Sequence, residues 1–231
     1  CIRDRRRVVS TLYLDAAPDD VVRDVALAVD AHRRLLSHLD RLVAAEVLDV
    51  TAPSQLPGWT VGHVITHVTH SGDGHCRMFD AVAAGRVGEQ YPGGVDVRNA
   101  DIDAGAPRPA AEQVDDLRAS IGRLEQRWMS SSWHGRGAAA SGEVDIRHLP
   151  FLRLREVAIH HIDLGVGVGF DDLPAEYLRL ELRRMEMLWT ARQPMGLTPL
   201  PDSALAASPP DRLAWLMGRA DIEGLEPARI L

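Results

Sequence analysis

The sequence predicts a mostly α-helical protein, an antiparallel four-helix bundle over about residues 18–165 with a short, mainly helical C-terminal extension. Several segments repeat apolar residues at intervals of three and four, the period of a helix with one buried face. Strand signals are sparse. Hydrophobic residues make up 45% of the 231 positions, enough for one sizeable core and a smaller appendage. We expect a loose arm over residues 1–17, the bundle domain over 18–170 and the extension over 171–231.

The first predicted helix begins at Pro18 and runs to about Ala45. Proline is favoured in the first helical turn, and the following Asp19 and Asp20 suit the positive end of the helix dipole. His32 and His38 fall within this helix. We interpret both as solvated or partly packed side chains without a chemical role.

The second predicted helix follows Thr60, whose hydroxyl makes it a good N-cap residue. Its apolar side carries Val61, Val64, Ile65 and Val68. Gly72 and Gly74 weaken the helix because glycine has a low helix propensity, but they do not end it. We expect it to continue through Val82.

Residues 85–109 contain repeated Gly and Pro and are predicted to form a long surface connection. The third bundle helix follows, and it is the clearest amphipathic pattern in the chain. Its apolar residues recur at spacings of 3, 4, 3 and 4, at Val114, Leu117, Ile121, Leu124 and Trp128. Residues 130–148 are rich in Ser and Gly, with a short strand predicted over 142–146.

The fourth bundle helix contains Glu156 and is predicted to end at Gly165, since glycine is favoured just after a helix. The C-terminal extension then has three predicted parts. They are a helix from Pro174 to about Arg192, a Pro-rich linker over 194–210 and a terminal helix over 211–220.

Composition excludes several classes of function. The net charge of −7 argues against a nucleic-acid partner, which demands a basic surface. No apolar run approaches the roughly 20 residues needed to cross a bilayer, so we expect no membrane association and a cytoplasmic location. Cys1 and Cys76 are too few for a disulfide framework. We interpret Cys76 as a small buried apolar residue rather than a reactive thiol.

The candidate chemistry lies in two predicted helices. Glu156 and His160 are four residues apart, so a carboxylate and an imidazole project from one helix face. His63, His67 and His70 share one stripe of the second helix. Two histidines and one carboxylate can hold a divalent metal and leave positions open for chemistry, and facing helices of a bundle can supply them jointly.

Spacing alone leaves two questions open. It does not choose among His63, His67 and His70, and a Glu–His pair at this spacing also forms plain hydrogen bonds on helix surfaces. The apolar neighbours of Glu156 favour burial, and a buried carboxylate needs a partner. His161 and Asp163 are predicted either to support the ligands or to face solvent.

Other kinds of catalytic site find no support in the sequence. It has no Gly-x-Ser-x-Gly, no Cys-x-x-Cys, no phosphate-binding glycine loop and no dinucleotide fingerprint. The metal hypothesis therefore has no strong competitor among these motifs.

Two segments are similar to the signatures of a known family. Residues 56–68 (LPGWTVGHVITHV) and 154–165 (LREVAIHHIDLG) resemble those of the mycothiol-dependent maleylpyruvate isomerase family, within the DinB-like superfamily. The YPGG segment at 91–94 is also similar. The resemblance covers about residues 18–165 and implies a DinB-like metal-binding four-helix bundle.

The resemblance also implies a site. Carried over residue by residue, the metal ligands fall on His67, Glu156 and His160, and the metal is expected to be Zn²⁺, although the donor set also suits iron, nickel or cobalt. A substrate-contacting arginine falls on Arg219. Mycothiol, a small actinobacterial thiol, is the implied cosubstrate. An actinobacterial source fits a chain whose 26 basic residues are all Arg.

The implied activity is a cis–trans isomerisation of maleylpyruvate to fumarylpyruvate, with a small thiol and a small electrophile, such as a dicarboxylate, as partners. One departure stands out, because family members usually carry a strand-containing C-terminal domain and residues 190–210 are short and Pro-rich. This departure keeps two alternatives open. One is a mycothiol S-transferase in detoxification or natural-product biosynthesis, and the other is a non-catalytic DinB-like binding protein.

Overall fold

The structure, a computed structural model, describes residues 18–139, 142–192 and 198–230. The predicted N-terminal arm over 1–17 and part of the predicted linker, residues 193–197, lie outside the described residues. The described residues form two compact units, the first ending at Val166 and the second starting at Gly167.

The first unit is built around four long helices. Its elements in chain order are α1 (Pro18–Ala44), α2 (Val61–Ala83), β1 (Gly88–Glu89), α3 (Gly94–Gly105), α4 (Ala110–Ser130), β2 (Arg136–Ala139), β3 (Gly142–Asp145) and α5 (Leu149–Asp163). Helices α1 and α2 each pack against both α4 and α5, which closes the four into a ring. The predicted four-helix bundle is confirmed.

The core follows the predicted helical spacing. All five apolar residues predicted for α4 are buried, with Leu117 and Leu124 fully inaccessible. Leu39 of α1, Val64 of α2 and Val157 of α5 are fully buried as well. Each such side chain contributes about 1.5–3 kcal/mol relative to an exposed one, so this interior is the main source of the bundle's stability.

The predicted surface connection over 85–109 is wrong in its middle, where residues 94–105 form α3. The segment is largely polar, and Ile102 is the buried residue that anchors it. Close approach to α2 explains why it is ordered, because a Cβ added to Gly62 would lie 2.1 Å from the Ala106 carbonyl oxygen. A glycine therefore lets α3 dock where periodicity gave little sign of a helix.

A small three-stranded sheet packs against α2 through β1 and β2. β2 pairs with β1 in parallel and with β3 in antiparallel register, with Gly137 opposite both Gly88 and Val144. The predicted strand over 142–146 is found at Gly142–Asp145. The sequence did not predict β2, whose residues RGAA have low strand propensity and depend on their neighbours for order.

The prediction that His32 is solvated or partly packed is wrong. Its side chain is 1% exposed, its Nδ1 lies 2.8 Å from Glu125 Oε1, and Arg153 Nε donates to its Nε2 at 3.0 Å. Arg153 is itself fully buried and also donates to the Val68 carbonyl oxygen at 2.7 Å. A polar chain thus crosses the bundle interior from α4 to α5. His38 is half-buried, within what was predicted.

The second unit contains α6 (Ala175–Thr190), α7 (Asp202–Ala206) and α8 (Pro209–Leu216). Helices α6 and α8 pack together, with the rings of Trp189 and Trp215 4.9 Å apart. Both helices were predicted, whereas α7 falls in the segment predicted as linker. No helix among the described residues of the chain is long and apolar enough to cross a membrane.

Candidate metal centre

The start of α2 fixes the position of its histidines. Thr60 caps the helix, its hydroxyl accepting from the His63 backbone N–H, while His63 Nδ1 accepts from the Thr60 backbone N–H at 3.2 Å. This reciprocal capping box uses the His63 side chain. Its Nε2 faces Asp103 at 3.6 Å. His63 is therefore occupied at the helix start, and His67, one turn further on, points into the bundle.

Three side chains from α2 and α5 converge. His67 Nε2 lies 3.1 Å from His160 Nε2 and 3.1 Å from Glu156 Oε1, and His160 Nε2 lies 3.6 Å from Glu156 Oε2. Among the described residues, these three form the cluster of His, Cys, Asp and Glu side chains close enough to share an ion. The structure thus brings together the three predicted ligands and leaves His63 and His70 outside.

The spacing of the three groups is close to that of zinc ligands. Ligands about 2.0–2.2 Å from zinc in a tetrahedron lie roughly 3.3–3.6 Å from one another. One separation in the cluster, 3.6 Å, falls within this range, and the other two, 3.1 Å each, are slightly shorter than a tetrahedral zinc site needs. Two imidazoles and a carboxylate leave a fourth position free, which is the arrangement of catalytic rather than structural zinc sites. That these residues bind a metal remains a prediction.

Asp163 orients one of the imidazoles. Its side chain is fully buried, and its Oδ2 lies 2.9 Å from His160 Nδ1. The carboxylate accepts from the Nδ1–H of His160, so the proton that His160 would give up on binding a metal is the one on Nε2, which faces the cluster. Of the two alternatives predicted for Asp163, exposure to solvent is wrong, and its contact with His160 is the one that support of a ligand requires. The neighbouring His161 is buried and pairs with His38 at 2.8 Å.

The cluster is strongly coupled electrostatically. Burial alone would raise the pKa of Glu156, but hydrogen bonds with His160 and His67 hold it well below its usual value. Burial would likewise lower the pKa of His160, yet Asp163 and Glu156 raise it to about 9. For His67 burial prevails and lowers the pKa despite Glu156. The site therefore keeps an anionic carboxylate ready for a cation.

Two further side chains contact the cluster, and sequence reasoning missed both. Arg98 of α3 places its Nη2 2.9 Å from His67 Nδ1. The Trp59 ring packs edge-on against the His67 ring, with centroids 5.5 Å apart. Trp59 lies inside the LPGWTVGHVITHV segment and could have been noted there. Arg98 gave no such signal, because its helix was predicted as surface connection.

A cleft of about 270 Å³ opens beside the cluster. Its wall includes Arg98, and its other lining residues come from α2, from the YPGG segment and from α3. They are His70, Asp73, Arg77, Tyr91, Pro92, Val97 and Asp101. The cleft gives a small molecule space one side chain away from the candidate ligands, because Arg98, which lines it, contacts His67.

The predicted substrate contact Arg219 lies just after α8, in the second unit. It is exposed, and its Nη1 donates to the Met217 carbonyl oxygen at 2.9 Å. Its contact with a substrate stays a prediction.

A sequence model of a known family covers most of the first unit. The mycothiol maleylpyruvate isomerase N-terminal domain matches residues 28–165, well over half of the chain. The chain belongs to this family. Members are named after an isomerase, which agrees with the prediction of an enzyme. The matched segment contains all three candidate ligands of the metal centre.

Solved structures with a similar fold are consistent with membership of the mycothiol maleylpyruvate isomerase family. A crystal structure of a mycothiol-dependent maleylpyruvate isomerase superposes with a TM-score of 0.73 at 23% identity, covering 87% of this chain and 90% of that one. The structure of a histidine-to-alanine mutant of such an isomerase gives the same values. At this identity the likeness concerns the fold. No curated protein sequence is significantly similar to the chain.

Proposed function

We propose that the protein is a metal- and mycothiol-dependent isomerase that converts maleylpyruvate to fumarylpyruvate. The single observation that carries the proposal is the convergence of His67, Glu156 and His160 at 3.1–3.6 Å in a member of this family. A bound divalent metal would supply an open coordination position that lowers the pKa of a thiol and stabilises its thiolate.

The proposed reaction uses mycothiol as a nucleophile that is regenerated. The thiolate sulfur adds to one carbon of the cis double bond, and the electron pair of that bond moves toward the neighbouring carbonyl as an enolate. The former double bond is now single and rotates. The enolate electrons return, the carbon–sulfur bond breaks, and the trans double bond forms with release of the thiolate. Nothing is oxidised or reduced.

Three side chains of the protein are proposed to orient the candidate metal ligands or the substrate. Asp163 fixes the His160 ring in the tautomer that presents Nε2 to the cluster. Trp59 packs edge-on against the His67 ring and helps to hold that ring in place. Arg219 is proposed to hold a substrate carboxylate, a bidentate contact that guanidinium groups make well. A contact that tightened on the enolate would lower the barrier as well as bind substrate.

The test is a reconstitution assay. Zinc-loaded protein is mixed with mycothiol and maleylpyruvate, and fumarylpyruvate is followed by chromatography. We expect product only when both metal and mycothiol are present, and no net consumption of mycothiol. A stable mycothiol conjugate without fumarylpyruvate would overturn the proposal in favour of an S-transferase. Failure to retain zinc after reconstitution would overturn it in favour of a non-catalytic binding protein.

A further inference from the structure

Two arginines and two aspartates line the cleft that Arg98 borders. Arg77 and Arg98 face it from α2 and α3. Asp73 also lines the cleft, but it already pairs with Arg123 at 2.6 Å. That leaves Asp101, an exposed residue on α3, as the opposing charge. Counting Arg123 with its partner Asp73, three cations face two carboxylates at the cleft, and this balance of charge favours an anion.

The Arg98 guanidinium is held in place from several sides. Nη2 lies 2.9 Å from His67 Nδ1, Nη1 donates to Asn99 Oδ1 at 2.8 Å, and the group lies over the Tyr91 ring at 5.3 Å. Hydrogen bonding to Arg98 also lowers the pKa of Tyr91, although burial raises it overall. Contacts with His67, Asn99 and Tyr91 use at most three of the five guanidinium N–H groups. The other two can be donated to a ligand.

Arg98 lines the cleft and also contacts His67, a member of the cluster. It contacts Nδ1 of His67, while Nε2 of the same ring faces Glu156 and His160. One imidazole ring thus separates the guanidinium from the candidate metal position. An anionic group held by Arg98 would keep the adjoining atoms of a small substrate close to the cluster.

We propose that this cleft is a carboxylate subsite in which Arg98 is the principal ligand and Arg77 a second cation. The ligand class is a small cis-configured dicarboxylate, and this choice rests on the isomerase function proposed above. Arg77 donates from Nη2 to the Gln90 carbonyl oxygen at 2.7 Å, which holds it at the same wall. Arginine is suited to this role because its planar fork matches a carboxylate bidentately. The substrate proposed above carries two carboxylates, and Arg98 needs to bind only one of them.

The test is the binding of maleate to the zinc-loaded full chain, measured by calorimetry without mycothiol. The neutral diester dimethyl maleate serves as a ligand control. We expect wild type to bind maleate more tightly than the diester. Arg98→Gln should weaken maleate binding at least about tenfold and leave diester binding unchanged, because a charge-assisted contact is lost. Arg98→Lys should restore part of the preference, since it keeps the charge.

The matched control is Arg33→Gln, which removes an exposed guanidinium of α1 and should leave maleate binding unchanged. Zinc content and circular dichroism are recorded for each variant. If Arg98→Gln fails to fold or to retain zinc, Arg77→Gln tests the same cleft at a residue that does not contact His67. We expect this variant to lose maleate affinity severalfold. Absence of maleate binding in wild type, or unchanged binding in the folded arginine variants, would overturn the subsite.

Turnover of maleylpyruvate with mycothiol is measured on the same preparations, which separates the two proposals. Arginine-dependent maleate binding without turnover supports the subsite and rejects the isomerase. Turnover with maleate binding that is indifferent to Arg98 and Arg77 rejects the subsite and leaves the isomerase standing.

Discussion

Asp163 Oδ2 lies 2.9 Å from His160 Nδ1, on the side of the imidazole away from His67 and Glu156. The pair joins two residues of one helix, three positions apart, so the orienting group and the ligand share the rigidity of α5. A carboxylate in this position raises the basicity of the opposite nitrogen and limits rotation of the ring. A buried carboxylate in this position is what a metal-binding histidine needs, so it supports the assignment of His160 as a ligand.

Asp163→Asn should weaken zinc binding by about 10- to 100-fold, because the amide holds the His160 ring less firmly and does not increase its basicity. Zinc affinity is measured by competition with a chromophoric chelator. Asp115→Asn, on the exposed face of α4, is the control and should leave affinity unchanged. Equal affinities in Asp163→Asn and wild type would mean that Asp163 does not support the site.

His67→Ala, Glu156→Ala and His160→Ala should each abolish zinc retention, because two remaining ligands do not hold the ion firmly. Elemental analysis of the dialysed proteins measures this. His63→Ala should retain zinc, since that side chain is used in the capping box of α2. It should instead lower the free energy of unfolding by roughly 0.5–1 kcal/mol. Loss of zinc from His63→Ala alone would contradict the assignment.

The zinc-free protein should lose stability as pH rises from about 6.5 to above 9. His160 has a folded-state pKa of about 9, above the 6.5 of an unfolded histidine, so its protonation stabilises the fold fully below pH 6.5. This contribution, about 3 kcal/mol at most, disappears as pH rises through 9. Urea unfolding at pH 6.5 and 9.5 measures it. His160→Gln should show a smaller change than wild type, and an equal change would refute the prediction.

Arg219→Ala should lower the turnover of maleylpyruvate while leaving zinc content intact. The guanidinium is exposed, and water can replace its hydrogen bond to the Met217 carbonyl, so we expect little change in folding. The measurements are steady-state kinetics with mycothiol and elemental analysis. Arg219→Lys should recover part of the lost activity. Full activity in Arg219→Ala would remove this residue from the proposed site.

Arg153→Ala should destabilise the fold by about 2–5 kcal/mol, because it leaves a cavity and deprives the His32 ring and the Val68 carbonyl of a buried donor. Burial lowers the pKa of Arg153 to about 10, so the residue is still charged at neutral pH. Urea unfolding with Arg33→Ala as the exposed counterpart measures the difference. A loss below about 1 kcal/mol would show that the buried chain of polar groups adds little to stability.

The helices of the bundle could be predicted because the sequence signals for each helix lie within its own segment. Apolar spacing from Val114 to Trp128 and the N-cap at Thr60 act within one helix, and both are found as predicted. Helix α3 could not be predicted, since it depends on close approach between Gly62 and Ala106 across two elements. Arg98, which lies on that helix, was missed for the same reason.

By itself the sequence determined the helices of the bundle, the pairing of Glu156 with His160 on one face and the list of histidines that could join them. These follow from the spacing of apolar residues and from helix propensity, which are properties of short segments of the chain. Spacing left His67 as one of three candidates and the family resemblance implied it, but the tertiary structure placed it against that pair, set His63 at a helix cap and brought Arg98 to the ring of His67. Such distances depend on how α2, α3 and α5 pack, and that packing results from contacts between residues far apart in the chain.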